Sequence, residues 1–160
     1  MKRGTTFFLK VVILLLGIAV LALCVFLVPE IANYAVELYP DRAYLKSLIY
    51  IELYASAIPF YIALYQALQL LSYIDKNKAF SELSVRALKN IKKCAIAISG
   101  LYALGMPLFY LVADKDDAPG IIVIGMVVIF ASMVIAVFAA VLQKLLKEAI
   151  DIKSENDLTV

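Results

Sequence analysis

The stretch that decides the fold runs from Val11 to Val28 and reads VVILLLGIAVLALCVFLV. It carries no charge from end to end, and a helix needs about 20 mainly apolar residues to cross the roughly 30 Å of hydrocarbon in a bilayer. The composition of the whole chain agrees, because 64% of its 160 residues are hydrophobic and 18% are charged, whereas soluble domains run at about 45–50% and about 25%. With a mean hydropathy of +0.93, the chain is expected to form one membrane-embedded domain.

The first apolar stretch also has features of a removable signal peptide. Lys2 and Arg3 precede it, and the segment from Leu21 to Cys24 resembles the cleavage box of bacterial lipoproteins. That box needs a small residue where Leu23 stands, and the apolar run continues beyond the cysteine. Because a signal core is shorter than this stretch, we expect a retained membrane span.

Three further stretches are long and apolar enough to cross a bilayer. Lipid offers backbone N–H and C=O groups no partner, so each span is expected to be helical. The sequence therefore predicts an all-α integral membrane protein, a four-transmembrane-helix bundle in which Pro29 and Glu30 end the first span. The predicted spans are 11–28, 47–74, 94–113 and 119–142, with a loop at 75–93 and a tail at 143–160.

The basic residues set the expected orientation. Lysine and arginine are enriched in the loops of membrane proteins that stay in the cytoplasm. Of the 15 basic residues, 12 lie in the amino terminus, the 75–93 loop and the tail, and three lie in the other two connections. We therefore expect a multi-pass protein of the cell membrane with both termini in the cytoplasm (N-in/C-in).

Small residues recur every four positions in the third and fourth spans. Membrane helices pack closely where such residues let their backbones approach, so we expect both faces to point into the bundle; the alternative is that a small residue is merely tolerated at any single position. Pro59 and Pro107 should bend the second and third spans. The small residues are Ala95, Ser99 and Ala103 in the third span, and Gly125, Ser132, Ala136 and Ala140 in the fourth.

The second span carries a polar stripe. At about 100° per residue, Glu52 and Gln66 fall on one face of the helix, with Gln69 beside it. Polar groups at membrane depth usually face a neighbouring helix or a wet cavity, so these three residues form a candidate intramembrane polar site. Because Glu52 lies near the start of the span, a structural role at the interface beside Arg42 or Lys46 is the alternative.

A stripe of tyrosines lies roughly opposite the polar stripe. Those near the ends of the span suit the aromatic belt at the membrane interface. The deeper ones are expected to pack or hydrogen-bond within the bundle, and a tyrosine-lined binding groove is the alternative. The residues are Tyr50, Tyr54, Tyr61 and Tyr65.

The 75–93 loop contains the signature of an amphipathic helix that runs into the third span. Ser81 is expected to cap it through its side chain, with Phe80 packing against Val85. Its basic face suits an acidic protein partner or anionic lipid headgroups, and the third interpretation is that these charges only set topology. The candidate partner-binding residues on this face are Arg86, Lys89 and Lys93.

The tail begins as a continuation of the fourth helix. We expect the polar run 154–157 to break that helix and residues 158–160 to form a short extended end. An apolar carboxyl end could enter a groove or sheet edge of a partner, which makes Asp157, Leu158 and Val160 candidate partner-binding residues. The alternative is that the tail folds back so that its acids meet Lys89 or Lys93.

The sequence lacks the residues that several kinds of chemistry require. The chain has no histidine and two cysteines, Cys24 and Cys94, which are far apart in sequence and expected at opposite ends of their spans. No cluster of metal ligands and no phosphate-binding glycine loop is present in the sequence. A membrane-bound loop of this length is also a poor reader of nucleic acid. We therefore expect a protein that is not an enzyme, carries no cofactor and binds no nucleic acid directly.

Three stretches resemble a bacterial membrane-protein family, domain of unknown function 2975. The resemblance implies four spans and no known activity. Members of that family are often encoded beside a helix-turn-helix transcription regulator of the Cro/C1 kind, which implies such a regulator as a partner. The resembling stretches are Met1-Lys2-Arg3-Gly4-Thr5-Thr6, Lys78-Ala79-Phe80-Ser81 and Ile152-Lys153-Ser154-Glu155-Asn156-Asp157-Leu158-Thr159-Val160.

The sequence features favour two functions. The first is a non-enzymatic regulatory or interaction protein that binds a cytoplasmic partner through the basic loop helix and the tail. The second is a small transporter, channel or peptide-immunity protein that acts within the bilayer through the polar stripe of the second span. Membrane lipids are partners in either case, and a channel would need a homo-oligomer, because one four-helix bundle rarely encloses a pore.

Overall fold

A computed structural model describes residues 3–42, 44–116 and 120–159. The regular structure in these ranges is helical throughout, and four helices are long and apolar enough to cross a membrane. The predicted all-α fold with four spans is thus confirmed. The helices are α1 (Arg3–Leu38), α2 (Tyr44–Asp75), α3 (Glu82–Asp116) and α4 (Gly120–Thr159).

The first helix does not end where its charge-free run ends. Pro29 lies inside α1, so the helix continues past the residues that are expected to end the first span. A proline removes one backbone hydrogen bond, and a helix can continue when packing holds it on both sides of the gap. That packing is present, because Val28 before the proline is 6% exposed, and Ala32 and Ala35 after it are completely buried in a cluster with Ile49 of α2.

A tight turn separates α2 from α3. Asn77 has a φ of 59°, a left-handed conformation that asparagine adopts more readily than most residues. The N–H of Lys78 donates to the carbonyl of Tyr73 at 2.7 Å, and the N–H of Asn77 donates to the carbonyl of Ile74 at 3.2 Å. This pair of bonds is a Schellman motif, which ends α2 and reverses the chain.

The start of α3 lies where the sequence predicts it, but Ser81 does not act as the expected side-chain cap. The N–H groups of Ser84 and Val85 donate to the backbone carbonyl of Ser81. The Ser81 hydroxyl donates to the carbonyl of Lys78 at 2.5 Å, so it closes the preceding turn instead. Phe80, the expected hydrophobic staple, keeps 58% of its surface exposed.

The fourth helix continues through the polar end of the chain. The sequence predicted a break at 154–157 and an extended end after it, but α4 includes Thr159, so this expectation is wrong. Serine, asparagine and aspartate lower helix stability by only about 0.5–0.7 kcal/mol each, and a long established helix can absorb that cost. Val160 and the predicted first residue of the fourth span, Pro119, lie outside the described residues.

Each helix packs mainly against its neighbours in sequence. α1 lies against α2, α2 against α3 and α3 against α4, and α1 also touches α3 lightly. Over the described ranges, no close backbone contact joins α1 and α4, although Ile121 of α4 packs against the buried cluster of Ala32, Ala35 and Ile49. The bundle is therefore an open arrangement of consecutive antiparallel helices.

Most of the small residues that recur in α3 and α4 are buried in the bundle, as their spacing predicts. A Cβ on Gly125 would lie 2.8 Å from the Sδ of Met106, so the two helices approach closely there. Two of the predicted small residues are not buried. Ala103 is exposed, and Ala139 is buried in place of the predicted Ala140. A four-residue repeat drifts around a helix with about 3.6 residues per turn. The small residues that were predicted and are buried are Ala95, Ser99, Gly125, Ser132 and Ala136.

The contact between α1 and α2 is built on tyrosine hydroxyls. Tyr54 donates to the backbone carbonyl of Cys24 at 3.0 Å, and Tyr61 donates to that of Gly17 at 2.7 Å. The two tyrosines and the two carbonyls share the same seven-residue spacing in opposite directions, which is what an antiparallel pair of helices requires. The expectation that deep tyrosines hydrogen-bond within the bundle is confirmed at Tyr61.

Candidate functional site

Glu52 lies in the contact between α2 and α3. A Cβ built on Gly105 would lie 2.7 Å from both Cδ and Oε1 of Glu52, so the glycine leaves the space that the carboxyl group occupies. Oε1 is buried and, among the residues described, has no hydrogen-bond partner. The Glu52 side chain therefore faces a neighbouring helix inside the bundle.

The other two residues of the predicted polar stripe lie elsewhere along α2. Gln66 is 14 residues from Glu52, which is about 21 Å along a helix. Gln69 donates through Nε2 to the hydroxyl of Tyr65 at 2.7 Å, one turn away on the same helix. The structure thus separates Glu52 from the two glutamines, and each polar group has its own surroundings.

A cavity that the sequence did not reveal lies between the four helices. Its volume is about 580 Å³, and its lining comes from α1, α2, α3 and α4. Glu30 is the one charged residue in the described lining, and Tyr34 and Tyr102 supply polar edges. From the sequence, Glu30 is assigned only to the end of the first span. The signal that could have indicated it is an acid just beyond a charge-free run, with a tyrosine one turn later.

The basic face predicted at the start of α3 is exposed. Arg86, Lys89 and Lys93 all lie on the surface. On the opposite side Ala87 is 2% exposed and Leu88 is 7% exposed, so this part of α3 packs into the protein with its apolar face. The three basic side chains are brought together on one side of one helix.

The tail residues named from the sequence are placed only in part. Leu158 is 83% exposed at the end of α4. The side chain of Asp157 and the whole of Val160 lie outside what the structure describes. Over the described part of the tail, Glu155 forms no ion pair with Lys89 or Lys93. The helical tail continues straight along α4, so the alternative of a folded-back tail is not what the structure shows.

The residues that could hold a metal do not gather. Within the described ranges, no three or more Cys, Asp or Glu side chains form a group of metal-ligand type. Cys24 is half-buried, Cys94 is buried, and both are free thiols. The basic face, the cavity and Glu52 are the candidate functional features of the described residues.

Comparison with known proteins agrees with a membrane protein. A family described as a protein of unknown function, DUF2975, matches residues 30–160. The chain belongs to the DUF2975 family. A relative from Bacillus subtilis (strain 168), described as the uncharacterized membrane protein YoaS, is 74% identical over 160 residues, which are 100% of both chains. No solved structure matches the chain.

The family match bears on the three resembling stretches in different ways. The stretches at 78–81 and 152–160 lie within the matched range, and the one at 1–6 lies before it. The relative covers all three stretches. The chain is thus a DUF2975 membrane protein with four candidate spans, which is consistent with a multi-pass location.

Proposed function

We propose that this protein is a non-enzymatic, membrane-anchored interaction protein whose basic α3 face and helical tail bind an acidic soluble partner in the cytoplasm. The observation that carries the proposal is the exposed triad of Arg86, Lys89 and Lys93 on a helix whose other side is buried. Clustered exposed cations favour and steer association with a surface of opposite charge.

The base of this face is firmly held. Ser84 is completely buried, and its hydroxyl donates to the carbonyl of Lys78 at 3.2 Å. Because the Ser81 hydroxyl donates to the same carbonyl, the turn and the first turn of α3 are bonded together. A basic face on a fixed helix loses less side-chain and backbone freedom on binding than one on a mobile loop.

The helices are long enough to carry this face out of the bilayer. α3 has 35 residues and α4 has 40, which correspond to about 52 Å and about 60 Å of helix. The hydrocarbon is only about 30 Å thick. Antiparallel packing brings the start of α3 beside the end of α4, so the basic triad and the exposed Leu158 belong to the same end of the molecule.

The test is photo-crosslinking in living cells from a photoreactive amino acid at position 90, where Asn90 lies between the three basic residues on the same face of α3. We expect a covalent adduct with a soluble acidic protein, and the regulator that the family resemblance implies is the first candidate. The double substitution Arg86→Glu and Lys89→Glu should abolish the adduct, because it reverses the charge of the face. Removing Ile152–Val160 should also abolish it while membrane insertion is retained.

A matched control separates the face from charge in general. Lys76→Glu together with Lys78→Glu makes the same change in charge at two exposed lysines in the turn before α3, and this variant should keep the adduct. Adducts with lipid alone would contradict the proposal in favour of headgroup binding. An equal loss of the adduct in the control would also contradict it.

A second candidate function has one observation in its favour. The buried Oε1 of Glu52, which has no hydrogen-bond partner among the described residues, suits a small transporter, channel or peptide-immunity protein that uses this acid within the bilayer. Glu52→Gln keeps the shape and removes the charge, and it should then change the sensitivity of cells to ions, peptides or drugs. Gln66→Ala, in the other half of α2, should change the same sensitivity if the whole polar stripe takes part.

A further inference from the structure

The cavity between the four helices has the size and the wall of a small-molecule site. Its volume of about 580 Å³ lies within the roughly 300–1,000 Å³ of ligand pockets. Most of the lining is aliphatic, and α3 contributes an aromatic pair, Tyr102 and Phe109, with ring centroids 6.0 Å apart. A ligand that fills this space must present a largely apolar body.

The lining of the cavity on α1 extends past the end of the charge-free run. On α1 its lining begins at Leu27, inside the charge-free run, and ends at Tyr34 beyond it, a length of about 10 Å. Glu30 stands between them and directly follows Pro29, the first residue beyond the charge-free run. The deep end of the lining on α1 is therefore apolar, and Glu30 places the charge just beyond the charge-free run.

We propose that this cavity binds an amphipathic organic cation, with the apolar body against the helices and the ammonium group beside Glu30. Glu30 is exposed, and it is the one charged residue in the described lining, so the cavity favours positive charge. Aromatic faces such as that of Tyr102 also attract quaternary ammonium groups. Mg²⁺ and Ca²⁺ need six or more oxygen ligands, and an anionic lipid headgroup would be repelled by the carboxylate.

The proposal is tested on the full-length protein in lipid nanodiscs with a photoreactive probe. The probe is benzophenone carrying a trimethylammonium group, and its partner is the neutral isostere in which a tert-butyl group replaces that cation. After irradiation, labelled residues are mapped by mass spectrometry. We expect the cationic probe to label the cavity walls at 27–34 and 121–128 about tenfold more than the neutral isostere does.

Two matched variants assign this preference to one carboxylate. Glu30→Gln keeps the shape of the side chain and should reduce the labelling by the cation to the level of the neutral isostere. Glu37→Gln removes an acid that is also exposed on α1 but does not line the cavity, and it should keep the full preference. Equal labelling by both probes in the unaltered protein would overturn the proposal and show an apolar groove that lipid chains fill. A preference that survives Glu30→Gln would overturn it as well.

Discussion

Gly105 sets how closely α2 and α3 approach. Gly105→Ala would place a methyl group 2.7 Å from the carboxyl carbon of Glu52, and overpacking of this kind costs about 1–3 kcal/mol. We expect the cost to fall below about 1 kcal/mol in a Glu52→Ala background, because the colliding group is then gone. The free energy of unfolding in mixed micelles, measured for both single variants and the double variant, gives this coupling.

Gly100 provides the control for that measurement. A Cβ there meets nothing within 4 Å, so Gly100→Ala should leave stability unchanged or raise it by up to about 1 kcal/mol through helix propensity. If both glycines respond alike, the close contact between Glu52 and Gly105 does not explain the effect.

Tyr54 and Tyr61 hold α2 to α1 through their hydroxyls. Tyrosine-to-phenylalanine substitution at either position should lower the free energy of unfolding by about 0.6 kcal/mol, and by no more than about 1.7 kcal/mol, the range known for bonds between membrane helices. Tyr65→Phe is the comparison, because the partner of that hydroxyl lies on its own helix. An equal loss at Tyr65 would argue against the contribution of the two bonds between helices.

One ion pair connects α1 and α2 near the turn that follows α2. Lys10 Nζ lies 3.0 Å from Asp75 Oδ2, and the two side chains are 30% and 23% exposed. A double-mutant cycle with Lys10→Gln and Asp75→Asn should give a coupling energy of about 0.2–1 kcal/mol. That coupling should shrink in about 1 M salt, where the Debye length falls to about 3 Å. A coupling that does not respond to salt would indicate hydrogen bonding rather than charge.

The bounds of the helices show what local sequence determines. The spans follow from apolar length, and the amphipathic start of α3 follows from its periodicity, so both could be predicted. The continuation of α1 through Pro29 depends on Ala32 and Ala35 packing against α2, which no local pattern encodes. The helical tail of α4 was missed because its polar residues are only weakly unfavourable in a helix.

The orientation of the whole protein remains a prediction, and cysteine labelling tests it. In a background with Cys24→Ala and Cys94→Ala, a single cysteine is placed at Asp41, Lys89 or Glu155, which are all exposed. We expect a membrane-impermeant thiol reagent to label position 41 in intact cells and positions 89 and 155 only after permeabilisation. Labelling of 89 or 155 in intact cells would contradict the N-in/C-in arrangement.

The candidate sites could be predicted less fully than the spans. The basic face was found because charge and helical period are local properties. The cavity was not found, because it is the space left between four helices, and its lining residues are distant in sequence. Glu52 was identified as a polar residue in a span, but its contact with Gly105 needed the relative placement of two helices.

The packing of each helix against its predecessor has a consequence for biosynthesis. Because contacts link consecutive helices almost exclusively, every segment leaving the ribosome finds its docking surface already made. Topologies dominated by such near-neighbour pairings close short loops and assemble rapidly. The nascent chain can thus build its structure from the amino terminus onwards, and no segment has to wait in lipid for a distant one to be synthesised.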